Sequence, residues 1–170
     1  MRLSIRALLQ RLFRRPAALT CRGKVWRAGC EELRRRSAGY RESGAFLLGR
    51  TTLGTHEILE FLYYDDIDES CFANGIVEFD GRKLGRVWKH CRERSMQVVA
   101  DVHVHPGGFG QSSSDQDNPI IAEIGHFALI LPHYAAGSVL PGSIGVYEYL
   151  GDRLWRDCSR IGKKVFRIGG

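Results

Sequence analysis

The sequence predicts a mixed α/β domain. Short apolar runs rich in β-branched and aromatic residues, at 45–48, 56–64, 98–104, 127–131 and 143–150, read as strands. Between them, residues 25–36 and 83–94 carry apolar side chains at helical spacing, with polar residues on the other face. The chain has 170 residues, of which 44% are hydrophobic, enough for one well-filled core. No run approaches the ~18 apolar residues needed to cross a bilayer, so no membrane span is expected.

The elements follow in order. Ile5, Leu8, Leu9 and Leu12 fall at helical spacing with Phe13 beside them, and Arg2, Arg6 and Arg11 interleave. Residues 1–15 therefore read as a basic amphipathic helix, packed on its own domain by preference. Docking to an acidic partner, a membrane surface or a nucleic acid is the alternative. Arg14-Arg15-Pro16 breaks it. The main domain is placed at 16–160. It opens with a first strand over Leu19–Arg22. A helix over Val25–Arg36 follows, with Trp26, Cys30 and Leu33 on one face and Arg34, Arg35 and Arg36 at its end, where cations oppose the helix dipole. The run Ala45–Leu48 reads as a buried strand entered through Glu42, and 56–64 as the next strand. After an acidic connector come a short strand over Ile76–Phe79 and a helix over Lys83–Arg94 that buries Leu84, Val87, Trp88 and Cys91. Helical turns are expected from Ser112 to Ile124, with Asn118 capping Pro119 at a first helical position and Gly125 as the stop. The strand Phe127–Leu131 leads to a hairpin of 143–150 with 153–158 about Gly151-Asp152, and 161–170 reads as a basic tail. Its Gly169-Gly170 ending is not taken as a conjugation signal, because no β-grasp pattern accompanies it.

Net charge is +6, and it is uneven. Residues 1–36 hold eleven Arg or Lys against two acids, whereas the remainder is net −3. The basic character belongs to the N-terminal segment. No nucleic-acid-binding motif accompanies it, so nucleic acid is not the expected partner. The five cysteines are scattered and odd in number, with no Cys-x-x-Cys. That pattern suits a reducing, cytoplasmic setting and argues against a disulfide framework or a Cys-ligated metal. No secretory leader is expected: the basic start lacks a continuous apolar stretch and a small-residue cleavage site.

The segment from Ala100 to Asp115 carries the chemistry. Val98, Val99, Ala100 and Val102 lead into His103-Val104-His105-Pro106. On a strand, residues two apart face the same way, so both imidazoles project together. Pro106 ends the strand, and Gly107, Gly108 and Gly110 allow a tight bend. Ser112-Ser113-Ser114-Asp115 then has the spacing of a helix start with Ser112 at the cap. Two His and one carboxylate leave a fourth tetrahedral position open for water, the arrangement of a catalytic zinc site. Asp117 is an alternative third ligand in a shifted register. Asp101 shares the strand face of the histidines and reads either as a partner orienting an imidazole or as a strand-end ion pair.

The order Glu42-Ser43-Gly44-Ala45-Phe46-Leu47-Leu48-Gly49, then His103-Val104-His105-Pro106, then Ser112-Ser113-Ser114-Asp115 resembles the JAMM metalloproteases, also called MPN-plus or Mov34-type isopeptidases. The resemblance spans about residues 18–158. It departs in one respect: the loop from His105 to Asp115 is one residue shorter than is common in the family. It implies a cytidine-deaminase-like JAMM/MPN fold, a curved and mostly antiparallel sheet flanked by helices. It further implies one zinc ion on His103, His105 and Asp115, Glu42 as general base, and Ser112 as hydrogen-bond donor to the oxyanion. Gly108-Phe109-Gly110 and the stretch 125–134 resemble the stand-alone prokaryotic branch, associated with bacterial ubiquitin-like conjugation in phage defence. The implied activity is cleavage after the C-terminal Gly-Gly of a ubiquitin-like protein, for maturation or deconjugation, with E1- and E2-like proteins as further partners. A sulfur-carrier protein as substrate, or a metal-free scaffold of the same fold, are the alternatives.

Overall fold

The computed structural model describes residues 17–169 apart from 73–76 and 78. The expected helix over 1–15 lies outside the described residues. One eight-stranded mixed sheet runs through the molecule in the order β7-β6-β5-β4-β2-β3-β1-β8. The strands are β1 (Leu19–Arg22), β2 (Gly44–Thr52), β3 (Thr55–Tyr63), β4 (Gln97–Val104), β5 (Phe127–Leu131), β6 (Gly145–Gly151), β7 (Leu154–Asp157) and β8 (Phe166–Gly169). The helices are α1 (Gly23–Ser37), α2 (Tyr64–Ile67), α3 (Leu84–Arg94), α4 (Ser113–Asp117) and α5 (Gly162–Val165).

Both faces of the sheet are covered, which explains why its central strands read as unbroken apolar runs. Alternation along β2 sends Ala45 and Leu47 to one side and Phe46 and Leu48 to the other. The first pair joins a core with Trp26, Cys30 and Leu33 of α1. The second joins one with Tyr64, Phe72, Val87 and Cys91, between the sheet and α3. The same alternation along β4 puts Ala100, Val102 and Val104 in the α1 core and leaves Asp101 and His103 on the opposite face. α1 stops at Ala38, whose left-handed backbone (φ 49°) lets its N–H reach the carbonyls of Arg34 and Arg35.

The structure departs from the sequence reading in several places. The sheet is mixed, and antiparallel pairing holds only a narrow majority: four strand pairs are antiparallel and three parallel. The tail at 161–170 is no tail through Gly169, because β8 pairs in parallel with β1 and Phe166 is fully buried. Helical turns do not continue to Ile124: α4 ends at Asp117, and Asn118, at φ −126° and ψ 66°, closes that helix instead of opening another. Trp88 is 39% exposed, on the outer side of α3. The short strand expected over Ile76–Phe79 falls partly outside the described residues, and Val77 and Phe79 are in no strand. Among the described residues, no helix is long and apolar enough to cross a membrane.

Candidate metal centre

Strand register brings the two distant motifs together. β2 pairs antiparallel with β4, Gly44 opposite His103 and Ala45 opposite Val102. Carried two residues past the last pair, the same register sets Glu42 across from His105. The ladder extends far enough to fix this, since the Val104 N–H donates to the Ser43 carbonyl at 2.9 Å. Gly44 is required here: a Cβ would lie 2.3 Å from the Tyr64 ring, which packs across the strand end. On the other side β4 pairs in parallel with β5, and the His105 N–H continues that ladder to the Leu131 carbonyl at 2.9 Å.

His103 and His105 face the same way, as their spacing requires, with Nε2 atoms 2.9 Å apart. Asp115 closes the group. Its Oδ1 lies 3.3 Å from His103 Nε2, and its Oδ2 lies 3.3 Å from His105 Nε2. The three ligand atoms fall within 4.8 Å of one another. Tetrahedral ligands with zinc bonds of ~2.0–2.1 Å stand about 3.3 Å apart, so the donor types and the spacing fit a zinc ion with small adjustments. Asp117 belongs to no such group among the described residues.

Asp115 is aimed by the start of α4. Ser112 caps the helix: its Oγ accepts the Asp115 N–H at 3.1 Å, and Asp115 Oδ2 accepts the Ser112 N–H at 2.6 Å. This capping box satisfies two backbone donors reciprocally and turns the carboxylate toward the imidazoles. The Ser112 oxygen is used as an acceptor, and its O–H hydrogen stays available to donate. Glu42 Oε1 stands 3.8 Å from His105 Nε2, while its Oε2 accepts the Val77 N–H at 3.0 Å. One carboxylate oxygen is thus fixed by the loop and the other faces the cluster.

The electrostatics follow from the packing. Burial alone would lower the His103 pKa, but the Asp115 carboxylate bonded to it, with Asp101 and Glu42 behind, raises it above the ordinary imidazole value. Burial opposes ionisation of Asp115 too, yet the two imidazoles and the Ser112 N–H hold it far below the usual carboxylate range. The carboxylate and the imidazoles thus stabilise one another's charged forms, and a metal bound there would take the place of the imidazole protons.

Asp101 orients neither His103 nor His105. Its Oδ1 pairs with His126 Nε2 at 2.7 Å, and its Oδ2 accepts from the Tyr64 hydroxyl at 3.3 Å. The Tyr64 phenol is held well above its usual pKa by burial and by the Asp101 charge, so it remains a neutral donor. His126 has no sequence signal as a partner of Asp101, because twenty-five residues separate them.

Reading the sequence also missed what holds the loop after His105. His133, Tyr134 and Ala135 have φ values of 53°, 52° and 60°. This left-handed turn of three non-glycine residues costs on the order of 1–3 kcal/mol per residue. It lets the Tyr134 and His133 N–H groups reach the carbonyls of His105 (2.8 Å) and Gly107 (2.9 Å). Beside His103 and Asp115 lies a narrow cleft of about 40 Å³, walled by Val77, Asp101, Gln111, Asn118 and Trp155. That is room for on the order of three water-sized groups.

No family model matches the chain. Its backbone is similar to the solution structure of a Desulfitobacterium hafniense protein, with a TM-score of 0.61 at 16% identity over 82% of this chain and 88% of that one. A Salinibacter ruber protein, also solved in solution, gives a TM-score of 0.49 at 16% identity over 81% and 87%. The first likeness shows a fold shared across most of the chain; function rests on the site.

Proposed function

We propose that this chain is a zinc-dependent peptidase of the JAMM type, with the cytidine-deaminase-like fold of that family. It would cleave after the C-terminal Gly-Gly of a bacterial ubiquitin-like protein, in maturation or deconjugation within an antiviral conjugation system. One observation carries this reading: the ligand atoms of His103, His105 and Asp115 meet within 4.8 Å of one another, and Glu42 faces them at 3.8 Å from His105.

His103, His105 and Asp115 would hold the metal, and a zinc ion there would supply Lewis acidity, acidifying a water and polarising the scissile carbonyl. Glu42 accepts the proton of the attacking water and returns it to the leaving amine. A lysine ε-amine is a poor leaving group unless protonated, so this return is essential. The Val77 N–H holds one Glu42 oxygen, which leaves the other for the proton. Ser112 donates its hydroxyl hydrogen to the oxygen that gains charge as the carbonyl is attacked. The test is incubation of zinc-loaded protein with a ubiquitin-like protein extended beyond its Gly-Gly. Cleavage at that bond, abolished by a chelator, supports the proposal; bound zinc without cleavage of any such substrate overturns the assigned substrate and favours a sulfur-carrier protein.

A further inference from the structure

The third ligand sits on the least anchored element of the site. α4 has five residues, Ser113–Asp117, and none of them is buried. Apolar packing therefore does not hold Asp115 in place, and a five-residue helix is far too short to persist alone. Its hydrogen bonds to the β6–β7 hairpin supply the missing restraint. The Tyr147 hydroxyl donates to the Phe109 carbonyl at 3.0 Å, and Trp155 Nε1–H donates to the Gln116 carbonyl at 3.3 Å. Phe109 precedes the helix and Gln116 lies within it, so the two bonds grip the segment on either side of Ser112 and Asp115. The approach is close: a Cβ on Gly145 of β6 would lie 2.4 Å from the Phe109 oxygen.

Both donors are held firmly. Tyr147 is 6% exposed. Trp155 stands opposite Tyr149 in the hairpin register and meets that ring edge-on at 4.9 Å. Trp155 also walls the cleft beside His103.

We propose that Tyr147 and Trp155 are positioning residues that hold Asp115 on the metal through the backbone of 109–116. The inference rests on the metal reading of the site. Neither side chain touches the ligand atoms, so each acts through the loop.

The test uses Tyr147→Phe and Trp155→Phe in the full chain. Zinc affinity is measured by competition with a chromophoric chelator, and amide hydrogen exchange across 112–118 is measured on metal-free protein. Each substitution removes one hydrogen bond and keeps an aromatic ring. Loss of supporting hydrogen bonds around metal ligands weakens binding by about 10–100-fold; here a drop of about tenfold is expected, with faster exchange at Asp115 and Asn118 and an unchanged far-ultraviolet spectrum. Unchanged exchange in both variants overturns the proposal, whatever happens to affinity. Unchanged affinity with zinc bound overturns it as well. If the unsubstituted chain takes up no zinc, the metal reading falls and this proposal falls with it; zinc uptake with unchanged exchange or unchanged affinity in the variants overturns the proposal alone.

Discussion

Glu42 and His105 lie sixty-three positions apart in the chain and 3.8 Å apart in space. Nothing but the β2–β4 register joins them. A one-residue slip would turn Glu42 away from the cluster, because side chains alternate between faces. The proposed roles of these residues separate cleanly by experiment. Glu42→Gln keeps the hydrogen bond from Val77 but loses the base; turnover should fall about 10²–10⁴-fold while zinc content stays at one ion per chain. His103→Ala and Asp115→Ala should instead lose the metal itself, which elemental analysis reads directly. Much of this site was legible in the sequence: the His-x-His spacing fixed a common face, and Ser112-x-x-Asp115 announced a cap. Asp101 was left between two readings, since the strand pattern gives its face and not its partner. His126 reaches it from the start of β5, a meeting that only the parallel β4–β5 pairing creates.

At the scale of elements, the turns and loops hold what the periodic pattern could not show. The β2–β3 hairpin turns through Leu53 (φ 49°) and Gly54 (φ 77°). Both φ values are positive, the signature of a turn that favours Asn-Gly. Leu53 is 96% exposed, so Leu53→Asn loses no core packing and should stabilise the chain by about 0.5–1 kcal/mol, visible as a higher denaturant midpoint. The loop bearing Val77 is knotted by Asp68, which accepts from Lys83 Nζ, from the N–H and Oγ of Ser70, and from the Asp80 N–H. Hydrogen bonds from Lys83 and Ser70 hold this carboxyl well below its usual range. A depressed folded-state pKa contributes stability above the unfolded value of about 4, lost as pH falls through the folded value. Asp68→Asn should therefore lower stability at neutral pH and flatten its decline below about pH 4, as denaturant melts across pH would show. Sequence patterning missed this knot, and it missed α4's early end, because irregular segments follow local hydrogen bonds instead of hydrophobic period.

Across the whole molecule, a sheet covered on both faces leaves no cysteine at the surface. All five are free and buried. Burial raises the Cys21 and Cys71 thiols to about 12, so almost no thiolate forms at neutral pH. Native protein should show no rapidly reacting thiol toward an aromatic disulfide reagent, and five once unfolded; fast native labelling would contradict the packing. The alternation of strands and helices was legible because β2, β4 and β5 are apolar runs and α1 repeats its buried face. The parallel pairing of β8 with β1 was not, since 166–169 is four residues long and its partner is distant in sequence. The central claim is that Glu42 serves a metal held by His103, His105 and Asp115. Its most direct measurement is turnover of a ubiquitin-like protein extended past Gly-Gly, by the unsubstituted chain and by Glu42→Gln, with zinc content determined in the same samples. The account predicts equal zinc and at least about a hundredfold loss of cleavage in the variant; equal cleavage by the two proteins, or cleavage that persists after the zinc is removed, would contradict it.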